Sequence, residues 1–366
     1  MKRKSLNILI VFVGITLLSF SGERQKPKNL IFFIGDGMGV TQVYAAMTVS
    51  GFEMTFPSFP VTGFSMTHSK NNYVTDSGAG GTALATGEKT NNYMISMRPD
   101  STNLKTLFEY AVEKGMSTGI VCTKSLTDAT PASFVSHTPS RFLYRSIAEQ
   151  YLNGAADIFI GGGMNFFEAQ KDSAGVTDES TDYVHALKAK GYDVVYSLSD
   201  FMASDADKIA GFMSENHMPS ILQGRDPQYL EKATDKAIEV LSKNRKGFIL
   251  MVEGSEIDDA GHAGNSKMVI DEVLDMDRAA KVAFDFASQD RNTLIVITAD
   301  HETGGMSLPN GNLKQREVSA NFGTGDHTGV MVPVFAYGPG AEAFEGIQDN
   351  TDLFRDFYRL LSLDTK

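Results

Sequence analysis

Asn29-Leu30-Ile31-Phe32-Phe33-Ile34-Gly35-Asp36-Gly37 is a continuous apolar run that ends in two glycines around a carboxylate. A strand with one wet face alternates polar and apolar residues. A run without alternation is buried on both faces, as in a parallel sheet covered by helices. Similar runs recur at 117–123, 157–160, 193–196, 248–252, 293–298 and 331–337. Helical patterns lie between them. Leu104, Leu107, Phe108 and Ala111 form an apolar stripe stopped by Gly115. Asp226-Pro227 opens a second helix, with Leu230, Ala233, Ala237 and Leu241 facing inward. A third spans 268–287, and Leu353, Phe354, Phe357, Leu360 and Leu361 close the chain. The alternation predicts an α/β fold, a large, mainly parallel central sheet with helices on both faces. Ligands in such folds bind at the carboxyl ends of the strands.

The 366 residues suit one large domain, and 42% hydrophobic with 21% charged residues is ordinary for a globular protein. Lys2, Arg3 and Lys4 followed by the apolar run 8–20 read as a signal peptide over 1–22, which predicts export to the periplasm or medium and no stable membrane anchor. The net charge of −12 becomes about −15 once that segment is removed. Such a charge argues against a nucleic-acid surface but admits anionic substrates where metal ions invert the local field. Cys122 is the single cysteine, so no disulfide forms within the chain, and its apolar neighbours mark it as a buried inert thiol. Polar stretches at 171–182 and 309–326 read as surface insertions in a single domain, 23–366.

The chemistry gathers at predicted strand ends. Val74-Thr75-Asp76-Ser77-Gly78-Ala79-Gly80 reads as the start of a helix, with Asp76-Ser77 facing unpaired N–H groups and the positive end of the helix dipole. Taken alone it is a capping sequence. Small residues after Ser77 would let the helix end approach a bound phosphoryl group. Asp36 follows the first strand and could be a turn former or a ligand. Glu253 to His262 follows the run at 248–252, and Asp258 and His262, four apart, share a helical face able to chelate one ion. Asp300-His301 follows the run at 293–298, and His327 precedes the run at 331–337. Three of the seven histidines therefore fall in acidic, glycine-rich loops where they can meet. His68 and His137 read as structural, and His185 and His217 receive no role.

Six segments in order resemble the alkaline phosphatase family: 35–39, 75–77, 128–132 with Ser140-Arg141, 253–262, 298–305 and 327–329, together spanning 29–339. The resemblance implies a three-layer α/β/α sandwich, two zinc ions and one magnesium ion. Asp258, His262 and His327 would hold one zinc; Asp36, Asp300, His301 and the Ser77 oxygen the other. Asp36 would also reach magnesium, completed by Thr130 and Glu253, with Asp128 anchoring a metal-bound water. Hard magnesium suits the all-oxygen set and zinc the histidine sets. Ser77 would be the nucleophile and Arg141 the bidentate clamp on phosphate oxygens. The implied reaction is hydrolysis of phosphate monoesters through a covalent Ser77-phosphate, with net retention at phosphorus. Zinc ions about 4 Å apart would stabilise the attacking and leaving oxygens.

Residue types alone leave other readings open. Arg141 could open an ordinary surface helix over 141–152, and Thr130 before Pro131 could be a turn residue. Asp76 could merely brace its loop. Asp259 departs from the family, whose members carry a basic residue or histidine there. A carboxylate is expected to weaken phosphate binding at that point, or to meet magnesium or a metal-bound water. The segment from His301 to His327 is short for the family and its disulfides are missing, which leaves a homodimer open. A phosphodiesterase of the same superfamily and a noncatalytic metal-dependent phosphate-binding protein are the competing functions.

Overall fold

Leu30, Phe32 and Ile34 of the first strand point into one hydrophobic core, and Ile31 and Phe33 into another, all with no exposed surface. Each such burial is worth about 1.5–3 kcal/mol, so this strand gains from two layers at once. The computed structural model describes residues 26–171 and 177–364; the predicted signal peptide and residues 172–176 of one predicted insertion lie outside the described residues. Ten strands form the main sheet: β1 (Asn29–Gly35), β2 (Val61–Met66), β3 (Ser117–Ser125), β4 (Ile158–Gly162), β5 (Asp193–Val195), β6 (Ile209–Phe212), β7 (Phe248–Gly254), β8 (Thr293–Thr298), β9 (Val332–Tyr337) and β10 (Gly346–Asp349). Their order is β10-β2-β9-β8-β1-β7-β3-β4-β6-β5. Only the pairings of β9 with β8 and with β2 are antiparallel.

Helices cover both faces. They are α1 (Val40–Ser50), α2 (Ser77–Thr86), α3 (Leu107–Lys114), α4 (Ala129–Val135), α5 (Tyr144–Gln150), α6 (Tyr183–Ala189), α7 (Leu198–Ala203), α8 (Tyr229–Leu241), α9 (Glu256–His262), α10 (Ser266–Asp290) and α11 (Asn350–Leu360). Residues of α2, α3, α4, α5 and α11 share a core with Phe32, whereas α1, α8, α9 and α10 pack on the face of Phe33. The three-layer sandwich is thus the observed architecture.

Local differences from the sequence reading have physical causes. Leu104 lies before α3, whose start is fixed by a capping box of Thr106 and Glu109; Gly115 ends it at φ 71°. The second predicted helix begins at Tyr229, past Asp226-Pro227. Arg141 does not open a helix: α5 starts at Tyr144, and Arg141 sits in the turn ahead of it. The 309–326 insertion folds mostly as a hairpin of 306–312 against 317–322. Residues 170–171 pair with 177–178.

β3, β7, β1 and β8 are consecutive in the sheet, parallel, and central. Their carboxyl ends therefore share one edge. Lys124, Glu253, Asp36 and Asp300 stand at those ends in that order.

Candidate metal centre and active site

The ligand candidates meet as two clusters among the described residues: Asp36, Asp300 and His301, and Asp258, His262 and His327. Hydrogen bonds fix how the imidazoles face. His262 Nδ1 lies 2.8 Å from the Gly325 carbonyl, and His327 Nδ1 lies 2.9 Å from that of Thr75. A carbonyl only accepts, so both Nδ1 atoms carry the hydrogen and both Nε2 atoms present lone pairs. Those Nε2 atoms are 3.2 Å apart, beside the Asp258 carboxylate at 3.3 and 3.5 Å. Converging lone pairs and a carboxylate are the donor set of a cation.

His301 follows the same logic. Its Nδ1 is 3.2 Å from Thr303 Oγ1, whose hydroxyl donates to Asp258 Oδ1. Its Nε2 faces Ser77 Oγ at 3.2 Å, Asp300 Oδ2 at 3.3 Å and Asp36 Oδ1 at 3.4 Å. Asp36 Oδ1, Asp300 Oδ2 and both Glu253 oxygens are buried without a hydrogen-bond partner. Orphaned carboxylate oxygens cost several kcal/mol each unless a cation meets them. Thr130 Oγ1 reaches Asp36 Oδ2 at 3.4 Å, which places Thr130 with the Asp36 carboxylate. These residues fit the metals that the resemblance implies.

Their proton affinities say the same. Burial, then Asp300, Asp258 and Glu253, raises Asp36 well above the usual carboxylate range. Burial and Asp128 push Glu253 to about 8, and burial with Asp258 pushes Asp300 to about 7. Burial holds His301 well below its ordinary value, with His327 adding to the fall. Its hydrogen bond to Asp258 lifts His262 to about 9, so without a cation Nε2 holds a proton that a metal ion would displace to take the lone pair. Buried acids that resist ionisation are suited to ions that supply the missing positive charge.

Ser77 is the first residue of α2, capped by Asp76, whose Oδ1 accepts from the Ala79 N–H at 3.0 Å. The helix is buried throughout. Its small residues serve packing: a Cβ on Gly80 would lie 3.1 Å from the Asp300 Cβ, and one on Gly81 would lie 2.8 Å from Ser133 Oγ. They seat α2 against Asp300 and α4. Thr130 sits in the first turn of α4, capped by Asp128, so it is a helical residue and not a turn former.

Arg141 donates from Nη1 to Asp76 Oδ2 and from Nη2 to Asp128 Oδ1, both at 3.1 Å. Its own N–H bonds the Tyr93 carbonyl, and the Tyr93 N–H bonds Asp76 Oδ1. Asp76 thus caps the helix and also steers the guanidinium. On Asp128, burial is outweighed by Lys124 and Arg141, which hold it well below the usual range.

Sequence reading missed Lys124 and Thr303. Asp259, expected to weaken phosphate binding or to meet magnesium or a metal-bound water, pairs with Lys124 Nζ at 3.0 Å. No local signal marks that lysine, because its partners come from α9 and the turn before α4. His137 is held by Ser96 and Glu109, and Cys122 is buried, as their structural readings require.

The sequence model of the alkaline phosphatase family matches residues 27–321. The chain is 34% identical to alkaline phosphatase of Escherichia coli, with 93% of this chain and 87% of that protein covered. It is 31% identical to streptomycin-6-phosphate phosphatase of Streptomyces griseus, over 94% of each. The solved alkaline phosphatase of the Antarctic bacterium TAB5 superposes with a TM-score of 0.85 at 35% identity, covering 94% of this chain and all of that one. With the two clusters, the helix-capped serine and the clamped arginine on one sheet edge, the chain belongs to the alkaline phosphatase family of metal-dependent phosphomonoesterases.

Proposed function

We propose that the chain hydrolyses phosphate monoesters through a covalent phosphate on Ser77. Zinc would occupy the Asp258–His262–His327 and Asp36–Asp300–His301 sets, and magnesium would lie between Asp36, Thr130 and Glu253. The observation that carries this reading is the 3.2 Å approach of Ser77 Oγ to His301 Nε2 at the positive end of α2. The metals would act as Lewis acids that favour the serine alkoxide and neutralise charge on the attacking and leaving oxygens. Ser77 Oγ attacks phosphorus in line, and the N-terminus of α2 favours the negative charge developing there. Arg141, aimed by Asp76 and Asp128, offers its two forks to equatorial oxygens. Water then displaces Ser77, and the two inversions give net retention.

A third metal position gains support from the TAB5 enzyme, variants of which are solved with magnesium in that site. Here Asp36, Thr130 and Glu253 would supply its oxygens, with Asp128 anchoring a metal-bound water. Export to the periplasm or medium belongs to the same reading, supported by the charged-then-apolar residues 1–22. No described helix is long and apolar enough to cross a membrane. So does a homodimer, supported by the exposed Val40, Phe64, Val330 and Met331 around one groove.

The decisive experiment compares wild type with Ser77→Ala. Wild type is expected to carry radiolabelled phosphate on Ser77 after acid quenching. Ser77→Ala should retain its metals while losing the label and most turnover. A label-free wild type that still binds phosphate would make the protein a noncatalytic binder. Faster turnover of a bis-aryl than an aryl phosphate would make it a diesterase.

A further inference from the structure

We propose that Lys124 is a phosphate-holding cation on the β3 side of the site, with Asp259 as its positioning partner; this rests on the function proposed above. Lys124 is the penultimate residue of β3, and its side chain is only 15% exposed. Its ammonium lies 3.0 Å from Asp259 Oδ2, a hydrogen-bonding distance, and 3.5 Å from Asp128 Oδ2, which is an ion pair beyond one. An ammonium has three donors, so its capacity exceeds what Asp259 takes.

Asp128 organises the arrangement. Its Oδ1 takes Arg141 and its Oδ2 faces Lys124, so one carboxylate holds two cations on opposite oxygens. Both cations interact with Asp36, the carboxylate common to the second zinc set and the magnesium set. Sharing Asp128 places Arg141 and Lys124 on either side of one carboxylate at the carboxyl-terminal edge of the sheet. Glu256, in the first turn of α9, interacts electrostatically with Asp259 and Lys124, and His217 does so with Asp128.

Asp128 is thereby shared between two cations, and the Lys124 ammonium keeps a donor that neither carboxylate takes. A phosphoryl dianion clamped by Arg141 is the anion that this donor and this charge suit. Asp259, 42% exposed, keeps the ammonium from turning to solvent.

The test uses metal-loaded Lys124→Ala and Lys124→Arg. Inorganic phosphate is titrated by calorimetry and as a competitive inhibitor, and magnesium by calorimetry on the same proteins. In Lys124→Ala the phosphate constants and KM should rise on the order of tenfold, with kcat changed less, because a charge-assisted contact is lost. Magnesium should bind no more weakly than in wild type, since a repelling charge has gone. Lys124→Arg should stay within about threefold of wild type. A rise smaller than about threefold in Lys124→Ala would overturn the proposal. So would parallel weakening of phosphate and magnesium, which would make Lys124 scaffolding for the metal ligands. Calorimetry reads phosphate binding whether or not Ser77 is labelled, so failure of this inference is separable from failure of the phosphoserine reading.

Discussion

Replacing Thr303 by valine removes one oxygen and leaves the shape of the side chain nearly unchanged. That oxygen joins the two metal sets: it donates to Asp258 Oδ1 and lies 3.2 Å from His301 Nδ1. Water cannot take its place, because the side chain is fully buried and the valine methyl fills the space the hydroxyl leaves. Thr303→Val therefore strands a buried imidazole N–H and a buried carboxylate oxygen together. Each costs about 1–3 kcal/mol when left unpaired. In the metal-loaded protein the loss is expected as freer ligands, and outer-shell partners of this kind are worth about 10–100-fold in metal affinity. Both zinc constants should weaken by that factor, since Thr303 touches a ligand of each set. Competition with a chromophoric chelator measures them, and Thr303→Ser should stay within about threefold because it keeps the oxygen. Zinc constants within twofold of wild type at both sets would refute the argument, as would a loss confined to one set.

Gly80→Ala would bring a Cβ within 3.1 Å of the Asp300 side chain and 3.2 Å of its carbonyl oxygen. Asp300 is anchored at the end of a buried strand, so overpacking should cost about 1–3 kcal/mol in chemical denaturation and weaken zinc at the Asp36–Asp300–His301 set. An unchanged denaturation midpoint would show that α2 yields more easily than its packing suggests. A third expectation concerns pH. Glu253 and Asp300 carry folded-state values of about 8 and about 7, above those of the unfolded chain. Their contribution is fully present below about pH 4 and is lost as pH rises through 7 and then 8. Chelator-treated protein should therefore have a lower urea midpoint at about pH 9 than at about pH 5, and zinc with magnesium should restore it at the higher pH. A midpoint that rises with pH in the chelated protein would contradict this.

How much of this was open to a reader of the sequence depends on how local each cause is. β1, β3, β7 and β8 announce themselves because burial on both faces removes every polar residue from their centres. Val61–Met66 does not, because its side chains alternate between buried and exposed and a glycine interrupts it. Ile209–Phe212 and Gly346–Asp349 are four residues each, too short for any period to show. Ligands follow the strands that carry them. Asp36, Glu253, Asp300 and His301 are legible because each stands at or just past the end of a strand that is itself legible. Asp258 and His262 are legible from their spacing on one helical turn. Thr303 is not, since its value lies in touching residues 45 and 2 positions away at once. The start of α5 is also misjudged from sequence, because Arg141 is recruited into ion pairs that hold its segment out of the helix.

Lys124 shows why the charged part of such a site resists sequence reading. Asp259, Lys124, Asp128, Arg141 and Asp76 form a chain of alternating charge that ends at the cap of the Ser77 helix. Its members come from α9, β3, the turn before α4, the turn before α5 and the cap of α2, so no short window of sequence contains more than two of them. What the chain must satisfy is collective. The buried Asp128 needs cations close enough to remain ionised, and each cation needs carboxylates that hold it in place. That requirement fixes where positive charge is needed without fixing which strand supplies it. A lysine at the end of β3 meets it as well as one on α9 would, provided the α9 position becomes its counter-charge. Asp259 is then the counter-charge that Lys124 requires.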